Sequence, residues 1–353
     1  MFQKILYGML VFAVAGFVAD LLGASPILVF ILSALGLIPL ADLIGTATEE
    51  LVVYTGPRVG GLLNATLGNA AELIITIFAL REGLLELVRA SIAGSILGNL
   101  LLILGLSLLL GGLKHGVQTF DRRQAGINAT LAMLAVIALA VPSFFSPAIE
   151  PDVIAETRFN EGVAIVMIVL YGLSILYSMT QRDGPGYAET GHHEEHEAHW
   201  SLPRALVVLA LATAGTALMS EVLVGAVEEA TATLGLTELF LGIIIIPLVG
   251  NVAEHLVAVQ VATKNQMELS LGIALGSSLQ IALFVAPALV FISLLFDNTL
   301  LLIFNTFELA ALFAAALVAS LIAVDGESNW LEGAMLLTVY LLFVLAFFFL
   351  PGI

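Results

Sequence analysis

Gly68-Asn69-Ala70-Ala71-Glu72-Leu73 and Gly250-Asn251-Val252-Ala253-Glu254-His255 are two versions of one hexapeptide, set 182 residues apart in the chain. Each lies inside a long apolar run, and each carries a carboxylate where hydrocarbon is expected to surround it. A charged side chain at the centre of a bilayer helix costs about 2.5–3.5 kcal/mol even on insertion scales. A pair of them at matching positions therefore reads as functional. Downstream of each hexapeptide, Gly94-Ser95-Ile96-Leu97-Gly98-Asn99 matches Gly276-Ser277-Ser278-Leu279-Gln280-Ile281 at the same offset, and upstream Glu49-Glu50 answers Glu228-Glu229 with a slip of three residues. Three landmarks in near register indicate an internal duplication.

The rest of the chain is the setting such a duplication needs. Of its 353 residues 60% are apolar and 11% charged, with mean hydropathy +1.09; a soluble domain is nearer half apolar and a quarter charged. Apolar runs at 5–22, 25–45, 57–81, 84–112, 124–146, 161–180, 203–227, 235–263, 267–296, 299–323 and 329–350 give eleven candidate spans. The first has a signal-peptide look, with Lys4 ahead and Gly23-Ala24-Ser25 behind, but its apolar stretch is long for a cleaved leader and it reads as a retained helix. The expected fold is an all-α polytopic membrane protein of eleven transmembrane helices. Residues 1–24 form an accessory helix, 25–180 a first five-helix repeat, 181–202 an acidic His-rich loop and 203–353 a second five-helix repeat. Because each repeat crosses an odd number of times, the two copies are inverted. That is the usual plan of secondary transporters, with the site near the midplane.

Placing the N-terminus inside puts Lys4, Arg58, Lys114, Arg122, Arg123, Arg182, Arg204 and Lys264 in the cytoplasm, and leaves Arg81, Arg89 and Arg158 outside. The positive-inside rule thus makes the N-terminus and the 181–202 loop cytoplasmic and the C-terminus external; compact loops suggest a prokaryotic plasma membrane. Against 11 basic residues stand 28 acidic ones, a net charge of −17, which repels nucleic acid and suits a cationic substrate. With no cysteine, thiolate metal sites, iron–sulfur clusters, disulfides and cysteine nucleophiles are excluded. No nucleophile–base constellation sits at membrane depth, so no enzyme is expected. Self-association into a homo-oligomer is left open.

Asn69 with Glu72, and Asn251 with Glu254, are spaced i,i+3 and share a helix face. Amide and carboxylate oxygens then converge, while Gly68 and Gly250 can loosen the helix and turn backbone carbonyls toward the site. Such hard oxygen ligands favour a divalent cation of the calcium type over soft metals. Ser95, Asn99, Ser277 and Gln280 could supplement the site directly or through water, and the small residues beside them let helices approach closely. His255 points to a different face from Glu254, as a satisfied buried imidazole or a proton relay. The stretch around His192, His193, Glu194, Glu195, His196, Glu197 and His199 is a solvated connector or a pH- or metal-sensing segment; its chance match to an H-x-x-E-H zinc spacing carries little, given the compositional bias.

The pairs GNAAEL with GNVAEH, and GSILGN with GSSLQI, resemble the Ca²⁺/H⁺ antiporter family of the calcium/cation antiporter superfamily, over almost the whole chain. The resemblance implies that Glu72 and Glu254 bind Ca²⁺ and protons in turn, that Asn69, Asn251 and Gln280 line the site, and that no cofactor is needed beside the transported Ca²⁺ and H⁺ and the membrane lipid. Sodium/calcium exchangers of the superfamily tend to carry hydroxyl-rich motifs where this chain has Gly-Asn, which favours protons as the driving ion. A Na⁺/Ca²⁺ exchanger, and from another class a passive cation channel, stand as the alternatives.

Overall fold

The structure, a computed structural model, describes residues 2–149, 152–180 and 199–351. Helix α1 spans Phe2–Leu21, α2 Pro26–Leu67, α3 Ala70–Arg81, α4 Leu85–His115, α5 Arg122–Ile149 and α6 Val153–Thr180. In the second half follow α7 Leu202–Gly225, α8 Val227–Leu234, α9 Glu238–Gly250, α10 Val252–Ala262, α11 Met267–Ser293, α12 Thr306–Ile322 and α13 Trp330–Phe349. Among the described residues, a two-residue antiparallel pair, Gln118–Thr119 with Glu327–Ser328, is the only β structure. The chain is an all-α polytopic membrane protein.

Seven of these helices are long and apolar enough to cross a bilayer, or eight if α8 and α9, bent by 110° at their junction, make one span. Ile5–Leu21 and Thr306–Ile322 are apolar but shorter. The expected count of eleven spans is not confirmed among the described residues, and where helix bounds differ from those expected the differences have local causes. Residues 46–56 read as a loop, yet they lie within the 42-residue α2. Ala47, Glu49, Glu50 and Leu51 are good helix formers, and Thr48 Oγ1 returns to the Ile44 carbonyl at 2.8 Å, removing a competing polar group. The expected spans 57–81 and 235–263 are each interrupted at the repeated hexapeptide. The last difference is at 299–305, expected to be helical but without regular structure.

That extended stretch keeps its backbone satisfied through polar side chains, two of them distant in sequence, as buried irregular chain must. Asn160 accepts from Leu302 N at 2.9 Å and donates to Leu300 O at 3.1 Å. Ser143 Oγ accepts from Phe304 N at 2.8 Å, and Ser293 Oγ from Leu300 N at 2.9 Å. Asn305 then starts α12 with a reciprocal capping box to Glu308, which gives that buried carboxylate a structural duty.

The chain forms two compact units, and each draws on both sequence repeats. The first holds the described residues up to 91 and from 199 to 254; the second holds those from 92 to 180 and from 255 to 350. In the first, Ile44, Ala70 and Ala212 of α2, α3 and α7 pack with Leu43, Leu67 and Leu209. Gly36 of α2 lies so close to α1 that a Cβ there would stand 2.6 Å from Ala13 Cα. In the second, α4 and α13 meet backbone to backbone: a Cβ on Gly333 would fall on the Leu109 nitrogen and Gly105 carbonyl, and one on Gly112 on the Trp330 nitrogen. Large apolar side chains such as Val14, Leu211, Leu341 and Phe349 remain exposed, the expected face for lipid.

Gly333→Ala should destabilise the protein by about 1–3 kcal/mol, the usual cost of overpacking a close contact. At Gly162 of α6 a Cβ meets nothing within 4 Å, so Gly162→Ala should be neutral or slightly stabilising. Thermal unfolding of the purified protein in detergent reads the difference, and equal melting temperatures for the two variants would contradict the close helix packing.

Candidate functional site

Both hexapeptides break their helix at the asparagine. In the first, α2 ends at Leu67, Gly68 and Asn69 form a turn, and α3 starts at Ala70. In the second, α9 ends at Gly250, Asn251 turns, and α10 starts at Val252. The backbone angles repeat as well: φ −103°, ψ 30° at Asn69 and φ −98°, ψ 5° at Asn251, the sparsely populated bridge region. Glu72 and Glu254 are consequently each the third residue of a new helix. A carboxylate there faces unsatisfied backbone N–H groups and the positive end of the helix dipole. The discontinuity expected from the glycines is thus present, with asparagine as its pivot.

The four residues lie within the first compact unit. Asn69, Glu72 and Asn251 are buried, and Glu254 is half-buried. Asn251 Nδ2 donates to the Pro247 carbonyl at 3.1 Å, tying the pivot to the preceding helix. Thr76 Oγ1 donates to the Glu72 carbonyl oxygen at 2.7 Å, one turn further along α3. The Glu72 carboxylate oxygen Oε1 is fully enclosed and has no hydrogen-bond partner among the described residues. The charge that acts on it is the Glu254 carboxylate. Gly250 supplies the room: a Cβ there would stand 3.0 Å from Glu72 Oε1 and 3.2 Å from its Cδ. The glycine of the second hexapeptide is therefore packed against the glutamate of the first.

An enclosed anionic oxygen without a donor, facing a second carboxylate, is costly unless a proton or a cation joins it. Among the described residues no three His, Cys, Asp or Glu side chains converge to hold a metal ion. Among the described residues, amides, hydroxyls and backbone carbonyls are the other oxygen groups on hand.

The second compact unit holds Ser95, Asn99, Ser277 and Gln280. Asn99 Nδ2 donates to Ser277 Oγ at 2.9 Å, and its Oδ1 lies 3.3 Å from His255 Nε2. With Oδ1 as acceptor, Nε2 of His255 is the donor, and Asn99 satisfies that nitrogen. That geometry matches the first of the two readings of His255. Ser95 is buried, and Gln280 is half-buried at the end of its α-helical turns. Two wide π turns, Gly98–Ile103 in α4 and Ile281–Val285 in α11, begin within or directly after the second pair of motifs. Such turns misalign backbone carbonyls and recur at functional sites. Apolar sequence gives no signal for them, and they are the feature that sequence reasoning missed.

Most of the His/Glu-rich run, His192 to Glu197, lies outside the described residues. Its exit into α7 is well anchored. Trp200 N donates to Glu50 Oε2 at 3.0 Å, Tyr54 Oη donates to the Trp200 carbonyl at 2.5 Å, and the Arg204 guanidinium stacks 4.7 Å from the indole centroid. Glu50 is thereby a docking residue for this segment, one turn from its partner Tyr54 on α2.

The chain is similar to known proteins along nearly its whole length. The family described as sodium/calcium exchanger protein matches residues 25–180 and 204–349. A Ca²⁺/H⁺ antiporter of Synechocystis sp. is 44% identical over 99% of this chain and 98% of its own. The Ca²⁺/H⁺ antiporter ChaA of Bacillus subtilis is 44% identical over 89% of this chain and 90% of its own. The crystal structure of the Ca²⁺/H⁺ antiporter protein YfkE superposes with a TM-score of 0.83 at 39% identity, covering 97% of this chain and 99% of that one.

Gly250→Ala should force the Glu72 carboxylate aside and weaken divalent-cation binding by about tenfold, the affinity equivalent of a modest overpacking strain. Gly225→Ala, where a Cβ meets nothing within 4 Å, should leave binding unchanged. Calorimetric titration of the purified protein distinguishes them; unaltered affinity in Gly250→Ala would remove Gly250 from the site.

Proposed function

The chain belongs to the sodium/calcium exchanger protein family, and from that premise we propose that it is a secondary active transporter exchanging Ca²⁺ for H⁺ across a membrane by alternating access. The observation that carries the mechanism is the matched pair of helix breaks, which sets Glu72 and Glu254 at helix N-termini with Glu72 Oε1 enclosed. Full-length relatives from two bacteria bearing the Ca²⁺/H⁺ antiporter name support protons as the driving ion. The Gly-Asn motifs support it too, because they offer amide oxygens where sodium exchangers of the superfamily tend to carry hydroxyls.

In this mechanism Glu72 and Glu254 supply the charge that binds Ca²⁺, and Asn69 and Asn251 add amide oxygens and free backbone at the breaks. Asn99, Ser95, Ser277 and Gln280 are the further oxygen donors assigned to the path of the ion. Two bare carboxylates in a low-dielectric interior repel each other, so protons or a divalent cation must neutralise them, and the two occupants compete. The pair carrying Ca²⁺ and the pair carrying two protons are both close to neutral. The empty pair is not, and occluding it is disfavoured. That restriction couples the two flows and sets a minimum of two protons for each Ca²⁺. With the N-terminus and the 181–202 segment in the cytoplasm of a prokaryotic cell, an inward proton gradient expels Ca²⁺.

Sealed vesicles with an imposed pH gradient provide the test. The wild type should accumulate Ca²⁺ against its concentration gradient, and a protonophore should abolish the accumulation. Glu72→Gln and Glu254→Gln should each eliminate it while leaving the protein folded, since the amide mimics a protonated carboxyl and keeps its volume. Uptake driven by a sodium gradient instead would favour the Na⁺/Ca²⁺ exchanger. Ca²⁺ flux in the downhill direction alone would favour a channel.

A further inference from the structure

Outside the carboxylate site, the second compact unit carries an open cavity of about 720 Å³, lined by Arg122, Arg123, Gly126, Ile127, Thr130 and Leu131. We propose that this groove at the start of α5 binds an anionic phospholipid, its phosphate held by the two guanidinium groups and an acyl chain laid along Gly126, Ile127 and Leu131.

Three observations carry it. First, the arginines have no acidic partner: among the described residues the ion pairs all belong to Arg81, with Glu82 and Glu221. The neighbouring Asp121 is engaged as the helix cap, its Oδ1 accepting from Gln124 N at 2.7 Å. Second, the groove changes character along its length. The arginines stand at the first turn of a membrane-spanning helix, where headgroups lie. Below them the lining is apolar apart from Thr130, whose hydroxyl is occupied by the Gly126 carbonyl at 2.7 Å. From Arg122 to Leu131 the helix rises roughly 14 Å, about the depth of one leaflet's hydrocarbon. Third, Gly126 leaves open space along this face of α5, since a Cβ there meets nothing within 4 Å.

Arginine forks suit phosphate oxygens, and basic residues at the membrane surface attract acidic headgroups. The net negative charge of the chain opposes general adsorption to an anionic surface, which makes the occupant a single lipid seated in the groove. A free phosphate would use the arginines alone and leave the apolar part of the cavity without purpose.

The experiment uses the full-length protein, delipidated in detergent and titrated with phosphatidylglycerol, phosphatidylcholine or inorganic phosphate, with bound lipid counted by native mass spectrometry. Phosphatidylglycerol should bind and phosphatidylcholine should not. Arg122→Gln/Arg123→Gln should lose roughly 30-fold in affinity, as expected for two interfacial cations, while Arg158→Gln, an exposed arginine elsewhere on the second unit, should not. Gly126→Leu fills the groove without touching protein and keeps both arginines. It should abolish lipid binding, and its fold can be verified by unchanged melting in lipid-free detergent. Equal retention of phosphatidylglycerol by the wild type and the double variant would overturn the proposal. So would full binding by Gly126→Leu, or inorganic phosphate displacing the lipid at equal concentration.

Discussion

A carboxylate enclosed in a membrane protein must be neutralised by something, and the structure around Glu72 is arranged to let that something be exchanged. Its Oε1 is sealed from solvent with no donor among the described residues, and the charge bearing on it is another carboxylate. The helix breaks at Asn69 and Asn251 supply partial compensation through the dipole of the helix that follows. That compensation is worth on the order of 0.3–1 kcal/mol at exposed sites and up to ~2 kcal/mol when partly buried. It does not cover the cost of a full charge in hydrocarbon. In the proposed mechanism the balance falls to the transported ions.

The same constraint explains the irregularities elsewhere. Non-helical backbone at depth is tolerated only where protein groups satisfy it. Residues 299–305 are held by Asn160, Ser143 and Ser293, while the pivot Asn251 is tied to Pro247. Each interruption has a polar side chain assigned to it. Conversely, where α4 and α13 approach, glycines rather than polar groups allow the contact, in keeping with how membrane helices associate.

The part of this arrangement that was legible in the sequence is the part that violates membrane rules. Glu72 and Glu254 stood out because charges do not belong in apolar runs, and their repetition with Asn69 and Asn251 gave both the duplication and the likeness to Ca²⁺/H⁺ antiporters. Element boundaries were less legible. Residues 46–56 look polar enough for a loop, but their helix propensity and the continuity of α2 prevail. Residues 299–305 look apolar enough for a helix, yet Asn160 and Ser143, more than a hundred residues away, together with the nearby Ser293 hold them extended. The π turns after Leu97 and Gln280 leave no mark in composition, because they are set by packing. His255 was ambiguous in sequence, and its contact with Asn99 is one that no local pattern announces.

The central claim is that one pair of carboxylates holds either Ca²⁺ or protons, and proton release on Ca²⁺ binding measures it most directly. Purified protein in weakly buffered detergent solution is mixed with Ca²⁺ while a pH indicator counts the protons displaced. Shared occupancy predicts release that grows as the starting pH is lowered and the pair is more fully protonated, and that vanishes in the Glu72→Gln/Glu254→Gln double variant. Ca²⁺ binding with no proton release at any pH, or release unaffected by the double substitution, would contradict it.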